Sequence, residues 1–157
     1  MRNKTAVLPF KAVLRRVREA RKKGMTIVTT NGCFDLLHYG HVSYLERAGR
    51  LGDMLVVGVN SDATVRRLKG RGRPLNPARV RAAVVAALRA VDAVFIFNAE
   101  TPVTFLKALK PDIHVKGGDY SGRLLEQDAV EEAGGTVRIL PKVPGVSTTL
   151  LLRRART

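Results

Sequence analysis

Cysteine is almost absent from this 157-residue chain, and acidic residues, aromatic residues and long apolar runs are all scarce. The single cysteine, Cys33, excludes an internal disulfide framework and a cysteine-rich zinc site. No run approaches the roughly 20 apolar residues of a membrane span, and no charged start followed by an apolar stretch suggests a secretory signal, so a cytoplasmic protein without a membrane partner is expected. Aromatic residues make up only 5%, which leaves little material for stacking on single-stranded nucleic acid. Thirteen Asp and Glu face 28 Lys and Arg, a formal charge of +15. A field of that sign suits nucleic acid or a phosphorylated small molecule. With no aromatic platform and no base-reading motif beside it, nucleic acid is not expected as the primary partner.

What is present is the alternation of one globular domain. Apolar residues at Phe10, Val13, Leu14 and Val17 recur at helical spacing, with basic residues filling the opposite face. Residues 1–24 thus read as a basic amphipathic helix, its charges a solvated outer face, and 25–157 as the domain proper. Met25–Thr30, Met54–Val59, Ala93–Phe97, Ile113–Val115 and Val137–Leu140 read as five short apolar strands. Helices are expected over His41–Leu51, after Ser61, along the alanine-rich stretch to about Arg89, over Pro102–Leu109 and near Leu124–Ala133, with a last apolar helix after Ser147-Thr148-Thr149. A basic Gly- and Pro-rich loop fills Lys69–Pro77. Strands apolar throughout and separated by helices imply an α/β, doubly wound, five-stranded parallel sheet in a single domain. In such sheets ligands bind beyond the carboxyl ends of the strands, so the loops after strands carry the chemistry.

The first of these loops reads Asn31-Gly32-Cys33-Phe34-Asp35-Leu36-Leu37-His38-Tyr39-Gly40-His41. Two of the three histidines lie here, three apart across a glycine at the start of a helix. Imidazoles at a helix amino end can donate to phosphate oxygens and offset charge that builds during displacement at phosphorus. No Gly-x-Gly-x-x-Gly occurs, so a dinucleotide redox site has no support. Further along, Lys116-Gly117-Gly118-Asp119-Tyr120 lets backbone approach a ligand, and the Ser147-Thr148-Thr149 hydroxyls can cap a helix or hold phosphate. His114, inside a strand, reads as a core or interface histidine.

The Gly-x-Phe-Asp-x-x-His-x-Gly-His stretch resembles the signature of the nucleotidyltransferase superfamily that includes cytidylyltransferases and pantetheine-phosphate adenylyltransferases. Within it, Gly58-Val59-Asn60-Ser61-Asp62, Arg66-Arg67-Leu68-Lys69-Gly70, Arg73-Pro74-Leu75-Asn76-Pro77, the Lys116 block and Gly145-Val146-Ser147-Thr148-Thr149 resemble the heptose 1-phosphate adenylyltransferase (ADP-heptose synthase domain) group. The resemblance implies a Rossmann-like fold and transfer of AMP from ATP to a sugar 1-phosphate. It implies catalytic roles for His38, His41 and Lys69. It also implies nucleotide contacts by Gly32, Cys33, Phe34, His38, Gly40, His41, Asp119, Gly145, Ser147, Thr148 and Thr149. Sugar-phosphate contacts fall to Asp35, Asn60, Lys69, Arg81 and Lys116. Magnesium would ride on the ATP phosphates rather than in a protein cage, and a homodimer is expected. Relatives are often fused to a sugar kinase; this chain has no room for one, so a separate kinase would supply the acceptor. The alternatives within the class are a glycerol phosphate cytidylyltransferase and an adenylyltransferase acting on flavin mononucleotide. Two departures stand out. Lys142-Val143-Pro144-Gly145 replaces the arginine and hydroxyl residue of cytidylyltransferase relatives, and Arg79 stands where relatives often carry an acid. Arg71, Arg73 and Arg79 themselves read as surface charge.

Overall fold

The computed structural model describes residues 7–118 and 122–155. Its five strands are β1 (Ile27–Gly32), β2 (Met54–Asn60), β3 (Ala93–Phe97), β4 (Ile113–Gly117) and β5 (Thr136–Leu140). The helices are α1 (Phe10–Lys22), α2 (Tyr39–Gly49), α3 (Asp62–Lys69), α4 (Ala78–Ala86), α5 (Val103–Leu109), α6 (Gln127–Glu131) and α7 (Thr148–Arg154). The sheet runs β3-β2-β1-β4-β5, and every neighbouring pair is parallel. From β1 the chain winds outward through β2 and β3, then returns to the other side of β1 with β4. The strand order therefore reverses between β1 and β4, the place where a doubly wound sheet opens a crevice.

Alternation along the strands divides the core in two. Ile27, Val56, Phe95 and Phe97 face α1 and α5, where Val13, Val17, Phe105, Leu106 and Leu109 meet them. Val28, Leu55, Val57, Val59, Val94 and Val115 face α2 and α4 through Leu45, Ala48, Ala82 and Val85. The basic helix α1 is thus part of the one domain. Its apolar stripe is buried on the sheet, each fully buried valine contributing about 1.5–3 kcal/mol, while its cations stay in water.

Three elements differ from the sequence pattern. Asn31-Gly32 continues β1 instead of turning, because both residues pair with β2. The helix expected over Leu124–Ala133 is one short turn, α6. Strand β5, expected to be apolar on both faces, is an edge strand with Thr136, Arg138 and Ile139 exposed. Among the described residues, no helix is long and apolar enough to cross a membrane.

Candidate active site

A cleft of about 730 Å³ opens over the carboxyl ends of β1 and β4. Gly32, Cys33, Phe34, Asp35, His38, Gly40, His41, Asn60, Lys69, Lys116, Ser147, Thr148 and Thr149 all line it. The fold therefore gathers residues more than a hundred positions apart. Gly145 is not among the lining residues, and Asp119 lies outside the described residues.

His38 and His41 form the centre. His38 is the residue preceding α2, and its extended backbone aims its ring back over the first helical turn. The two imidazoles stack, with centroids 3.9 Å apart and planes inclined by 24°. Gly40 makes this possible: a Cβ there would stand 3.0 Å from the His38 ring. Phe34, held at φ 46°, sets its ring edge-on to His41 at 5.4 Å and walls the pair from below. Both Nδ1 atoms are buried and find no hydrogen-bond partner among the described residues. Burial depresses the His38 pKa; burial, reinforced by the neighbouring His38 ring, pushes His41 down to about 4. The pair is thus two desolvated imidazoles held neutral near pH 7, each with a buried Nδ1 that has no partner among the described residues.

The cations around them differ in how they are held. Lys69, expected on the mobile-looking loop, is instead the last residue of α3, exposed, with Gly70 at φ 87° ending the helix. No carboxylate pairs with Lys69 among the described residues. Arg73, expected as surface charge, is fixed by Asp35 at 2.6 Å. Asp35 also accepts the backbone N–H groups of Leu75 (2.7 Å) and Asn76 (3.1 Å). Burial opposes its ionisation, yet these backbone donors and the Arg73 guanidinium outweigh it and hold Asp35 below the usual carboxylate range. Asp35, expected as a sugar-phosphate contact, lines the cleft while its oxygens anchor the 70–77 loop to the segment that follows β1.

Arg81, expected in the same role, is a correction. Its side chain is fully buried, and every nitrogen is committed. Nε donates to the Asn76 carbonyl at 2.9 Å, one terminal nitrogen to the Cys33 carbonyl, and the other to the Asn60 carbonyl and the Asp62 carboxylate, both at 2.8 Å. A guanidinium so placed does not reach a substrate. It clasps the ends of β1 and β2 to the basic loop and so shapes the cleft from behind.

Burial pushes the Cys33 thiol pKa up, away from the thiolate form, and its backbone carbonyl accepts from Arg81. Ser147 caps α7 by accepting the Leu150 N–H at 3.1 Å, and Thr148 donates to the Leu36 carbonyl at 3.4 Å, bringing this segment against the histidine loop. Sequence reasoning missed Tyr44 and Arg47, which also line the cleft. The Tyr44 hydroxyl donates to the Val115 carbonyl, and Arg47 to the Pro141 carbonyl at 2.6 Å. Their spacing from Gly40, four and seven residues on, places them on the same helix face, a signal that could have found them.

His114 is buried, as expected of a core histidine, with Nδ1 2.8 Å from the Thr29 hydroxyl. Burial, aided by Lys116, lowers its pKa to about 3. An unfolded histidine titrates near 6.5, so above that pH neither state binds the proton and the shift has no effect. Below it the unfolded chain takes up protons that folded His114 and His41 refuse. Stability is expected to fall by about 1.4 kcal/mol per pH unit for His114 down to its folded value, and by less for half-buried His41, which solvent screens. Urea midpoints at about pH 7.5 and about pH 5 measure this. Equal midpoints would mean that the rings take up protons in place.

Known proteins resemble this chain in sequence and fold. The cytidylyltransferase-like family profile matches residues 29–154. The "Bifunctional protein HldE" of Syntrophotalea carbinolica is 52% identical over 135 residues, covering 85% of this chain and 28% of that protein. Its counterpart in Halorhodospira halophila is 51% identical over 154 residues, 98% of this chain and 32% of that protein. The chain thus spans about a third of the length of these relatives. A solved structure, the lipopolysaccharide core biosynthesis protein from Thermoplasma volcanium, superposes with a TM-score of 0.64 at 33% identity, over 76% of this chain and 98% of that one. By profile, sequence and architecture alike, this chain is a member of the cytidylyltransferase-like family.

Proposed function

We propose that the protein is an adenylyltransferase that joins ATP to a heptose 1-phosphate, giving ADP-heptose and pyrophosphate. The observation that carries this reading is the stacked His38–His41 pair, desolvated, with unmet nitrogens, at the strand-order switch. An oxygen of the acceptor phosphate attacks the α-phosphorus of ATP in line. The bond to the bridging oxygen breaks, and pyrophosphate leaves with the electron pair. Such a step needs positioning and charge stabilisation rather than a side-chain nucleophile. The two imidazoles donate to oxygens of the reacting phosphoryl group, and contact with that anion raises their proton affinity at the moment when charge accumulates. Lys69, exposed and free of a carboxylate, is the cation suited to the acceptor phosphate or to the departing pyrophosphate. The segment around Ser147–Thr149 closes the cleft on the nucleotide side.

Magnesium would be carried in by ATP, held mainly by phosphate oxygens and water rather than by a protein cage. That fits the residues present: no three His, Cys, Asp or Glu side chains converge among the described residues, and Asp35, the carboxylate lining the cleft, is spent on Arg73. The sugar is supported by the relatives called HldE and by the structural neighbour named for lipopolysaccharide core biosynthesis. A sugar kinase reaction must supply the 1-phosphate.

The test is pyrophosphate release from a matrix of ATP and CTP against heptose 1-phosphate, glycerol phosphate and flavin mononucleotide. Release is expected with ATP and heptose 1-phosphate together. Turnover of CTP with glycerol phosphate, and none with heptose phosphate, would reject the assignment while keeping the chemistry.

A further inference from the structure

Lys116 and Lys69 line the same cleft but are held differently. Lys69 is exposed, and no carboxylate pairs with it among the described residues. The Lys116 side chain is only 18% exposed, and its ammonium sits 2.6 Å from Oε1 of Glu126, a buried carboxylate just ahead of α6. Glu126 is not itself a lining residue; it stands behind Lys116. The same oxygen lies 3.9 Å from Nε2 of His114, and Thr29 fixes the other nitrogen of that ring. At 3.9 Å the two groups do not hydrogen-bond, and both Nε2 of His114 and Oε1 of Glu126 are buried without a hydrogen-bond partner among the described residues, the Lys116 contact being an ion pair. Thr29, His114, Lys116 and Glu126 therefore form one buried array reaching from the middle of the sheet to the cleft.

An ammonium neutralised at this distance presents no net charge to a ligand, but it keeps directed N–H donors. Such a group suits a neutral hydroxyl better than a phosphate, for which a free cation is available elsewhere in the cleft. Buried polar groups also discriminate strongly against a ligand that leaves them unpaired. We propose that Glu126 is a positioning residue that turns Lys116 into a fixed, charge-compensated donor for the sugar hydroxyls of the acceptor, leaving the phosphate to Lys69. This rests on the reading of the acceptor as a phosphorylated sugar. It assigns the Lys116 end of the cleft to choosing among acceptors, and the histidine pair to the chemistry.

Carbon-13 signals of the lysine ε-carbons, followed in the full chain, test the proposal without any turnover. Unphosphorylated heptose is expected to move the Lys116 signal, and inorganic phosphate to move that of Lys69 while Lys116 stays in place. In Glu126→Gln the pattern at Lys116 reverses: phosphate moves it and heptose does not. A wild-type Lys116 that follows phosphate, or ignores heptose, overturns the proposal. In steady-state assays Glu126→Gln is expected to raise the acceptor KM about tenfold and the ATP KM less than about twofold, a split that general loosening of the fold does not produce. Should the single variant fail to fold, Lys116→Met combined with Glu126→Gln leaves no buried charge unpaired and is expected to show the same rise. Parallel rises in both KM values count against the proposal. A wild-type protein that turns over no heptose phosphate rejects the proposed activity, yet the lysine signals still decide what Glu126 does.

Discussion

His38→Ala and His41→Ala are each expected to lower kcat by about a hundredfold or more, with the fold intact and the KM for ATP changed far less. Under the proposed function, ATP would meet many other lining residues of the cleft, from Gly32 to Thr149. In the proposed reaction the imidazoles would add what is needed only when charge builds on the reacting phosphoryl group. Packing fixes their arrangement: the rings stack with centroids 3.9 Å apart, Phe34 meets His41 edge-on, and Gly40 leaves room for the His38 ring. Because each ring sets the place of the other, the double substitution is expected to cost little more than either single one. Pyrophosphate release, with a thermal melt of each variant beside it, measures this. Near-normal turnover in both single variants would remove the pair from the mechanism.

Arg81→Met is expected to cost about 3–5 kcal/mol of stability, on the order of a 10 °C fall in Tm for a domain of this size. The methionine fills the apolar part of the volume but leaves the carbonyls of Cys33, Asn60 and Asn76 without their donor in a buried place. Arg81→Lys is not expected to rescue it, because one ammonium on a flexible stem does not reproduce a planar fork that meets three carbonyls and the Asp62 carboxylate. Activity should fall with stability, since the same carbonyls end β1 and β2 at the cleft. A melt within a degree or two of wild type would return Arg81 to the ligand-binding role implied by its resemblance to relatives.

These two expectations differ in where their evidence lies. His38 and His41 were legible because the chemistry is local: two imidazoles, a glycine between them and a helix start occur within four residues. His114 was legible as a core residue because it interrupts an apolar strand. Arg81 was not, since its four acceptors belong to Cys33, Asn60, Asp62 and Asn76, spread over three connections. The anchoring role of Asp35 was hidden for the same reason: its partner Arg73 lies 38 residues away on a loop that looked free. Glu126 drew no attention at all, because nothing in the residues beside it reveals the lysine it pairs with.

By itself the sequence determined the order and type of the elements, the parallel sheet and the loop that carries the imidazoles. All of these follow from side-chain periodicity and turn chemistry acting over a few residues. The tertiary structure alone decided which cations are free and which are spent. A charge is neutralised by whatever lies within a few ångströms of it, and in a doubly wound sheet those neighbours come from segments far apart in the chain.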